Sequence, residues 1–371
     1  MAGRARKPLP DLPDSAWQDD LACLGIVLST SVQIARNVAD AAFPETLSPE
    51  ERRTVRDDIL ASLREHVADL GEFSAGSWSW LDLEKAGPDI RQACAEKLDA
   101  SPRVPDPPEG TGVLEFAPRK APKGAASLHV LVNDGDHLRF RGSRPDGNVA
   151  GVYRRVAAME AAFDGVVADY AFDATYGYLT PDPADMGTGL HLSADFQLLG
   201  LRLAGDIDRV FRALDRLGLA IRPVREEVGN EAATLFRVSS VQTLGEDEER
   251  ILMRTDAIFQ DLAIAEDRAR MRLSESNAPV LRDFLGRAYG TALHAALLTV
   301  PEAMELHFTA LAGLDMGLYQ TRATLPVPDP DLLTRPATYR LDEGTGLSPE
   351  EIDARRADEM RAFYKRLRFR P

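Results

Sequence analysis

Histidines and cysteines, the usual ligands and nucleophiles, are few in this sequence, and their spacing narrows the chemistry they could do. The six histidines (His66, His129, His137, His191, His294 and His307) form no HExxH pair and no Cys/His grouping, so no metal site is expected. Cys23 and Cys94 are the two cysteines, too few for a disulfide framework, and they fit a reducing, cytoplasmic setting. Gly187-Thr188-Gly189 has the outline of a phosphate loop, but a lone GxG is better read as a tight turn feeding a strand. His137 lies within Asp136-His137-Leu138-Arg139, where a hydrogen-bonding imidazole is favoured over a catalytic one.

The elements that must position these groups are read from periodicity. An apolar stretch covers 24–32, and Ser48-Pro49-Glu50-Glu51 forms a capping box that opens a helix with Val55, Ile59, Leu60 and Leu63 on one face. Phe73, Trp78, Trp80 and Leu81 make an aromatic core patch, and a Pro/Gly-rich loop over 102–112 separates this part from the next. Residues 128–140 alternate with period two and are apolar enough to be covered on both faces. A helix over 151–166, a strand over 189–196, an amphipathic helix from Ile207 to Leu217 and strands over 219–222 and 234–241 follow. A long helix begins after Gly245. Beyond about residue 272 only helices are predicted, over 280–298, 301–311 and 348–367, interrupted by a proline-rich connector at 325–336. The pattern is α+β: an unstructured start over 1–15, a sheet-and-helix body over 16–265 and an all-helical module over 266–371.

The 371 residues, 44% hydrophobic and 28% charged, suffice for two or three domains with proper cores. No apolar run reaches the ~20 residues that span a bilayer, so no membrane role is expected. A net charge of −15 argues against nucleic acid and tolerates basic protein partners.

Four segments in order carry a resemblance. They are Val27-Leu28-Ser29-Thr30-Ser31-Val32-Gln33-Ile34-Ala35-Arg36-Asn37, Val132-Asn133-Asp134-Gly135-Asp136-His137-Leu138-Arg139, Gly177 through His191 with Thr180-Pro181-Asp182-Pro183, and Ile221 through Glu227. Together they resemble the ATP:guanidino phosphotransferases, and most closely the bacterial protein-arginine kinases. In the helical module Ala288-Tyr289-Gly290, Glu302-Ala303-Met304, Gly313 through Gly317 and Leu347-Ser348-Pro349-Glu350-Glu351 follow that family's order. The resemblance implies an antiparallel sheet flanked by helices, the glutamine-synthetase-like catalytic fold of guanidino kinases.

It also implies a chemistry: arginines grip the phosphates of Mg-ATP, and carboxylates orient and deprotonate a guanidinium. Of the family's five gripping arginines, Arg139 and Arg225 remain, while the other three positions hold Ser31, Gln33 and His191. Arg225 precedes Glu226 and Glu227, which makes a local ion pair at least as good a reading as nucleotide binding. The first catalytic glutamate is replaced by Gly135 and the second aligns with Asn230, one residue from Glu231. The substrate-holding cysteine is Asp182. Asp134, Asp182 and Glu231 are the substitute carboxylates, and Arg282-Asp283 stands where a phosphoarginine pocket would be.

Three absent arginines remove several kcal/mol of binding at ~1.5–3 kcal/mol per charged hydrogen bond, and a lost general base removes ~10²–10⁴ in rate. The expectation is a pseudokinase that binds or regulates. The partners implied by the family are an active arginine kinase, its zinc-binding activator or a Clp-type protease system, with a homodimer through the helical module. The alternative is an active kinase with a rearranged site that uses Asp134 or Asp182 as base. A third reading is a scaffold with no ligand, in which Arg139 and Arg225 share no cleft.

Overall fold

The computed structural model describes residues 25–98, 103–120, 126–225, 233–276, 278–321, 325, 329–342 and 346–370. The start of the chain, Cys23, Glu226, Glu227, Asn230 and Glu231 therefore lie outside the described residues.

In chain order the first half contains β1 (Val27–Arg36), α1 (Pro49–His66), β2 (Ser77–Asp82), α2 (Pro88–Leu98), β3 (Gly112–Ala117), β4 (Ser127–Asp134), β5 (Asp136–Arg144) and α3 (Val149–Phe163). Then come β6 (Phe172–Asp173), β7 (Gly177–Tyr178), β8 (Leu190–Gln197), α4 (Leu199–Leu203), α5 (Ile207–Arg216), β9 (Leu219–Pro223) and β10 (Leu235–Ser240). The remainder is α6 (Glu248–Glu275), α7 (Pro279–His294), α8 (Val300–Asp315), β11 (Tyr319–Thr321), α9 (Pro330–Thr334), α10 (Pro336–Asp342), α11 (Pro349–Tyr364) and β12 (Leu367–Phe369).

Eight strands form one antiparallel sheet in the order β2-β3-β4-β5-β1-β8-β10-β9. The period of two divides each strand between two faces. Val32 and Ile34 of β1, Phe140 of β5, and Leu192 and Ala194 of β8 are buried in the main core, together with Val152, Val156 and Phe163 of α3 and Phe259 of α6. The alternate positions Ser31, Gln33, Arg139, Arg141, His191 and Ser193 are only half-buried and line the opposite, polar face. At one end that face is covered by α2, where Cys94 and Leu98 pack on Val113 and Leu131.

The 102–112 loop separates nothing, because β2 and β3 on either side of it pair with each other. Likewise β1 runs four residues beyond the predicted apolar stretch, since its polar residues alternate onto the open face. The long helix α6 crosses position 265: Ala269 still belongs to the main core, whereas Leu273 joins the second, helical core with Leu281, Leu285 and Tyr364. That second region is not all helical. β11 pairs with β12 from Tyr319↔Phe369 to Thr321↔Leu367, so the last helix stops at Tyr364 instead of running to 367. The predicted connector over 325–336 contains α9 and the start of α10. The two regions touch where Glu96 of α2 accepts the Ala337 N–H of α10 at 2.9 Å.

Candidate active site

The ends of β1, β4, β5 and β8 meet at a polar cluster held by Arg36 and Asn37. Arg36, 2% exposed, donates from Nε to Glu160 of α3 (2.8 Å) and from Nη1 to the carbonyls of Ala35 (2.7 Å) and Thr188 (2.8 Å). Its guanidinium lies 3.4 Å from the Tyr178 ring centroid. The Gly187-Thr188-Gly189 segment is thereby fixed as a turn into β8, and a Cβ at Gly187 would lie 2.6 Å from the Thr243 carbonyl. Asn37 serves the β4–β5 turn in the same way. Its amide donates to Asp136 at 2.8 Å and to the Leu179 carbonyl at 3.1 Å, and its own oxygen accepts the His137 N–H at 3.0 Å.

Arg139 lies at the centre. Its Nε donates to Asp136 at 2.8 Å, while Nη1 is 3.8 Å from Asp134 and Nη2 is 3.7 Å from Asp185. Asp134 and Asp136 are fully buried, and neither oxygen of Asp134 accepts a hydrogen bond among the described residues. Burial weakens the Arg139 charge, but the three surrounding carboxylates outweigh it and hold the guanidinium protonated above its ordinary range. Burial raises Asp136, and a guanidinium shared among three carboxylates does not return the whole of that penalty. For Asp185 burial acts upward too, yet the hydrogen bond and charge of His191, with the charge of Arg139, bring it below its ordinary value.

The positions where the resemblance leads one to expect arginines have partners of their own. Ser31 Oγ is 2.7 Å from Ser193 Oγ, and His191 Nε2 is 2.7 Å from Asp185 Oδ1. Gln33 stands between Arg141 of β5 and His191 of β8 in register. Gly135, at φ +81°, forms the turn between the two buried aspartates. The imidazole of His137 is fully buried, and its Nδ1 accepts the Val38 N–H at 3.2 Å. Burial lowers its pKa to about 4, so at neutral pH it is an uncharged structural acceptor.

Several candidates lie elsewhere. Asp182 is exposed and caps its own loop by accepting the Ala184 N–H at 2.9 Å. Arg225 donates to the Thr334 carbonyl of α9 at 3.0 Å, so it ties the sheet to the helical region. The Arg225–glutamate ion pair, like Asn230 and Glu231, involves positions outside the described residues. On α7, Asp283 is exposed and paired with Arg287 at 2.8 Å, one turn along from the neighbouring Arg282.

Three residues of this face escaped the sequence reading. Asp185 lies in a loop, distant in sequence from the carboxylates it joins. Asp195 of β8 forms a two-armed pair with Arg237 of β10 at 2.7 and 2.8 Å, also invisible before the strands are aligned. Only the alternation Arg139, Arg141 along β5 gave a signal. No group of three or more His, Cys, Asp or Glu side chains suited to a metal ion occurs among the described residues. No helix among them is long and apolar enough to cross a membrane.

Residues 116–269 match the family model of the ATP:guanido phosphotransferase C-terminal catalytic domain, and residues 278–369 match that of the protein-arginine kinase McsB C-terminal domain. A protein-arginine kinase from Syntrophomonas wolfei is 30% identical over 337 residues, covering 91% of this chain and 90% of that one. Another, from Halalkalibacterium halodurans, is 28% identical over 340 residues, 92% of each. In fold, the chain is similar to the duplicated taurocyamine kinase from Schistosoma mansoni with transition-state analogue components (TM-score 0.59, 20% identity, 78% of this chain). It spans 41% of that duplicated chain. Lombricine kinase gives a TM-score of 0.53 at 22% identity, covering 71% of this chain and 72% of that one.

Proposed function

The chain belongs to the protein-arginine kinase family of guanidino phosphotransferases, and from that premise we propose that it is a pseudokinase, retaining the fold for binding or regulation with little or no ATP turnover. The observation that supports this reading is the surroundings of Arg139: one guanidinium faces Asp134, Asp136 and Asp185. A triphosphate entering there would meet more carboxylate than guanidinium charge, and at short range in a partly buried site that repulsion is large. Each charged hydrogen bond to phosphate is worth about 1.5–3 kcal/mol; Ser31 and His191 are engaged with Ser193 and Asp185, and Gln33 places an uncharged amide beside Arg141. Mg-ATP, the family's cofactor, is therefore poorly matched to these residues. The supports, by contrast, are intact: Arg36 and Asn37 hold the turns as a working site would require.

The role proposed with this reading is to bind a protein partner. The family suggests an active arginine kinase, its zinc-binding activator or a Clp-type protease system, with self-association through the helical region.

Calorimetric titration with Mg-ATP, alongside mass spectrometry of casein for phosphoarginine, tests the reading. We expect no binding tighter than about 1 mM and no product. Micromolar binding accompanied by phosphoarginine would end it. One observation favours the second reading, an active kinase with a rearranged site: Asp134 has both carboxylate oxygens free of hydrogen bonds and is the cluster's candidate base. Its complete burial beside Arg139 counts against that role.

A further inference from the structure

At the far end of β4 and β5 from the Gly135 turn, on the helix-covered side of the sheet, lies a cavity of about 450 Å3. Arg139 of the first site and Arg144 of this one are separated by five residues of β5, about 17 Å at ~3.4 Å per residue, and alternate onto opposite faces of the sheet. Phe116 of β3 and Leu128 of β4 give this cavity an apolar wall. Four cationic side chains from three parts of the chain converge on it, Arg119 and Lys120 beyond β3, Arg144 at the end of β5 and Arg155 on α3, with the carboxylate of Glu72 also in its lining.

Two of the four cations are already paired. Arg144 is 2.5 Å from Asp146, and Arg155 is bonded to Glu72. Arg119 and Lys120 are exposed and form no ion pair among the described residues. The cavity thus has a surplus of two positive charges, in a chain whose net charge is −15. The Nε of Arg144 is buried with no hydrogen-bond acceptor, so this guanidinium retains donor capacity.

Planar guanidinium forks suit tetrahedral oxyanions, two surplus charges match a phosphate monoester dianion, and the volume lies in the range of small-molecule sites. An apolar wall beside the cations favours a carrier with a flat, apolar part. We infer that this cavity is a binding site for a phosphate monoester on an aromatic carrier, separate from the sheet face that holds Arg139.

Calorimetry on the full-length protein at low salt, with phenyl phosphate and then inorganic phosphate as probes, tests the site. Phenyl phosphate is expected to bind with Kd of about 1 mM or tighter and at least about tenfold more tightly than inorganic phosphate. The Arg119→Ala/Lys120→Ala variant, altered only at exposed side chains, should bind about tenfold more weakly. As a second measurement on the unaltered protein, phenyl phosphate should slow acetylation of Lys120 and leave Lys85 unaffected. Absence of binding, equal binding of the two probes, binding unchanged in the double variant, or unprotected Lys120 would each overturn the inference.

Discussion

Gly135 and Arg139 compete for one volume: a Cβ at position 135 would lie 2.7 Å from Arg139 Nη2 and 3.1 Å from its Cζ. The absence of a side chain at 135 and the inward posture of Arg139 are therefore a single feature. A carboxylate at 135 would displace the guanidinium from the three aspartates that now hold it. The backbone there has φ +81°, a region that disfavours L side chains, so Gly135→Ala should cost about 1–2 kcal/mol. Gly135→Glu should cost more. Unfolding in urea measures both, and unchanged stability for either would show that the turn and Arg139 are not coupled.

Removing Arg139 leaves buried carboxylates without their cation. Breaking a buried pair by deleting one partner costs about 3–5 kcal/mol, so Arg139→Ala should be strongly destabilised at pH 7.5. The pH dependence follows from Asp136, whose folded pKa burial already raises. Without Arg139 it rises further. An acid whose folded pKa exceeds its unfolded value adds stability at pH below the unfolded value and loses it as pH rises through the folded one. The deficit of Arg139→Ala should therefore shrink as pH falls towards 5. An equal deficit at pH 5 and 7.5 would mean the aspartates are not the cause.

Much of this architecture is legible in the amino-acid order, and what is not has a physical reason. The Ser48 and Ser348 capping boxes are local and form as read, each with its glutamate bonded back to the cap. The alternation over 128–140 resolves into two strands because Gly135 supplies a turn with positive φ. In contrast β3, β11 and β12 are short, with 6, 3 and 3 residues, and exist through partners distant in sequence. The cluster around Arg139 is legible by half. Asp134 and Asp136 are neighbours in the chain, whereas Asp185 and His191 arrive only through the pairing of β1 with β8.

Acid sensitivity should come partly from His307. Its ring lies 5.2 Å from that of Phe308 and 5.5 Å from that of Phe363, and burial lowers its pKa to about 4. The unfolded chain takes up a proton near pH 6.5 and the folded chain does not until about pH 4, so stability falls as pH drops through that window. His307→Phe should remove about 1–2 kcal/mol of that loss while leaving stability at pH 7.5 little changed. Identical pH profiles for the two proteins would show that His307 titrates freely.

Arg225 is expected to act as a tether. Its hydrogen bond to the Thr334 carbonyl joins the end of β9 to α9. Arg225→Ala should speed hydrogen exchange in Pro330–Thr334 without altering nucleotide titrations. Weakened nucleotide affinity, with exchange unchanged, would return Arg225 to the phosphate grip.

Restoring the missing cations separates binding from catalysis. Ser31, Gln33 and His191 share one face of adjacent strands, with Ser31 opposite Ser193 and Gln33 opposite His191. Ser31→Arg, Gln33→Arg and His191→Arg together would place four guanidinium groups, counting Arg139, against Asp134, Asp136 and Asp185. The local charge then turns from negative to positive, and at about 1.5–3 kcal/mol per charged hydrogen bond even one new contact strengthens Mg-ATP binding about tenfold or more. Turnover should nevertheless stay at background, because position 135 has no carboxylate and a general base contributes ~10²–10⁴ in rate. Calorimetry reads the first effect, and mass spectrometry for phosphoarginine on casein reads the second. If affinity does not rise, the loss of the arginines is not what disables the cleft. If phosphoarginine forms with Gly135 still in place, a carboxylate at position 135 is not required, and the substituted arginines alone account for the missing turnover.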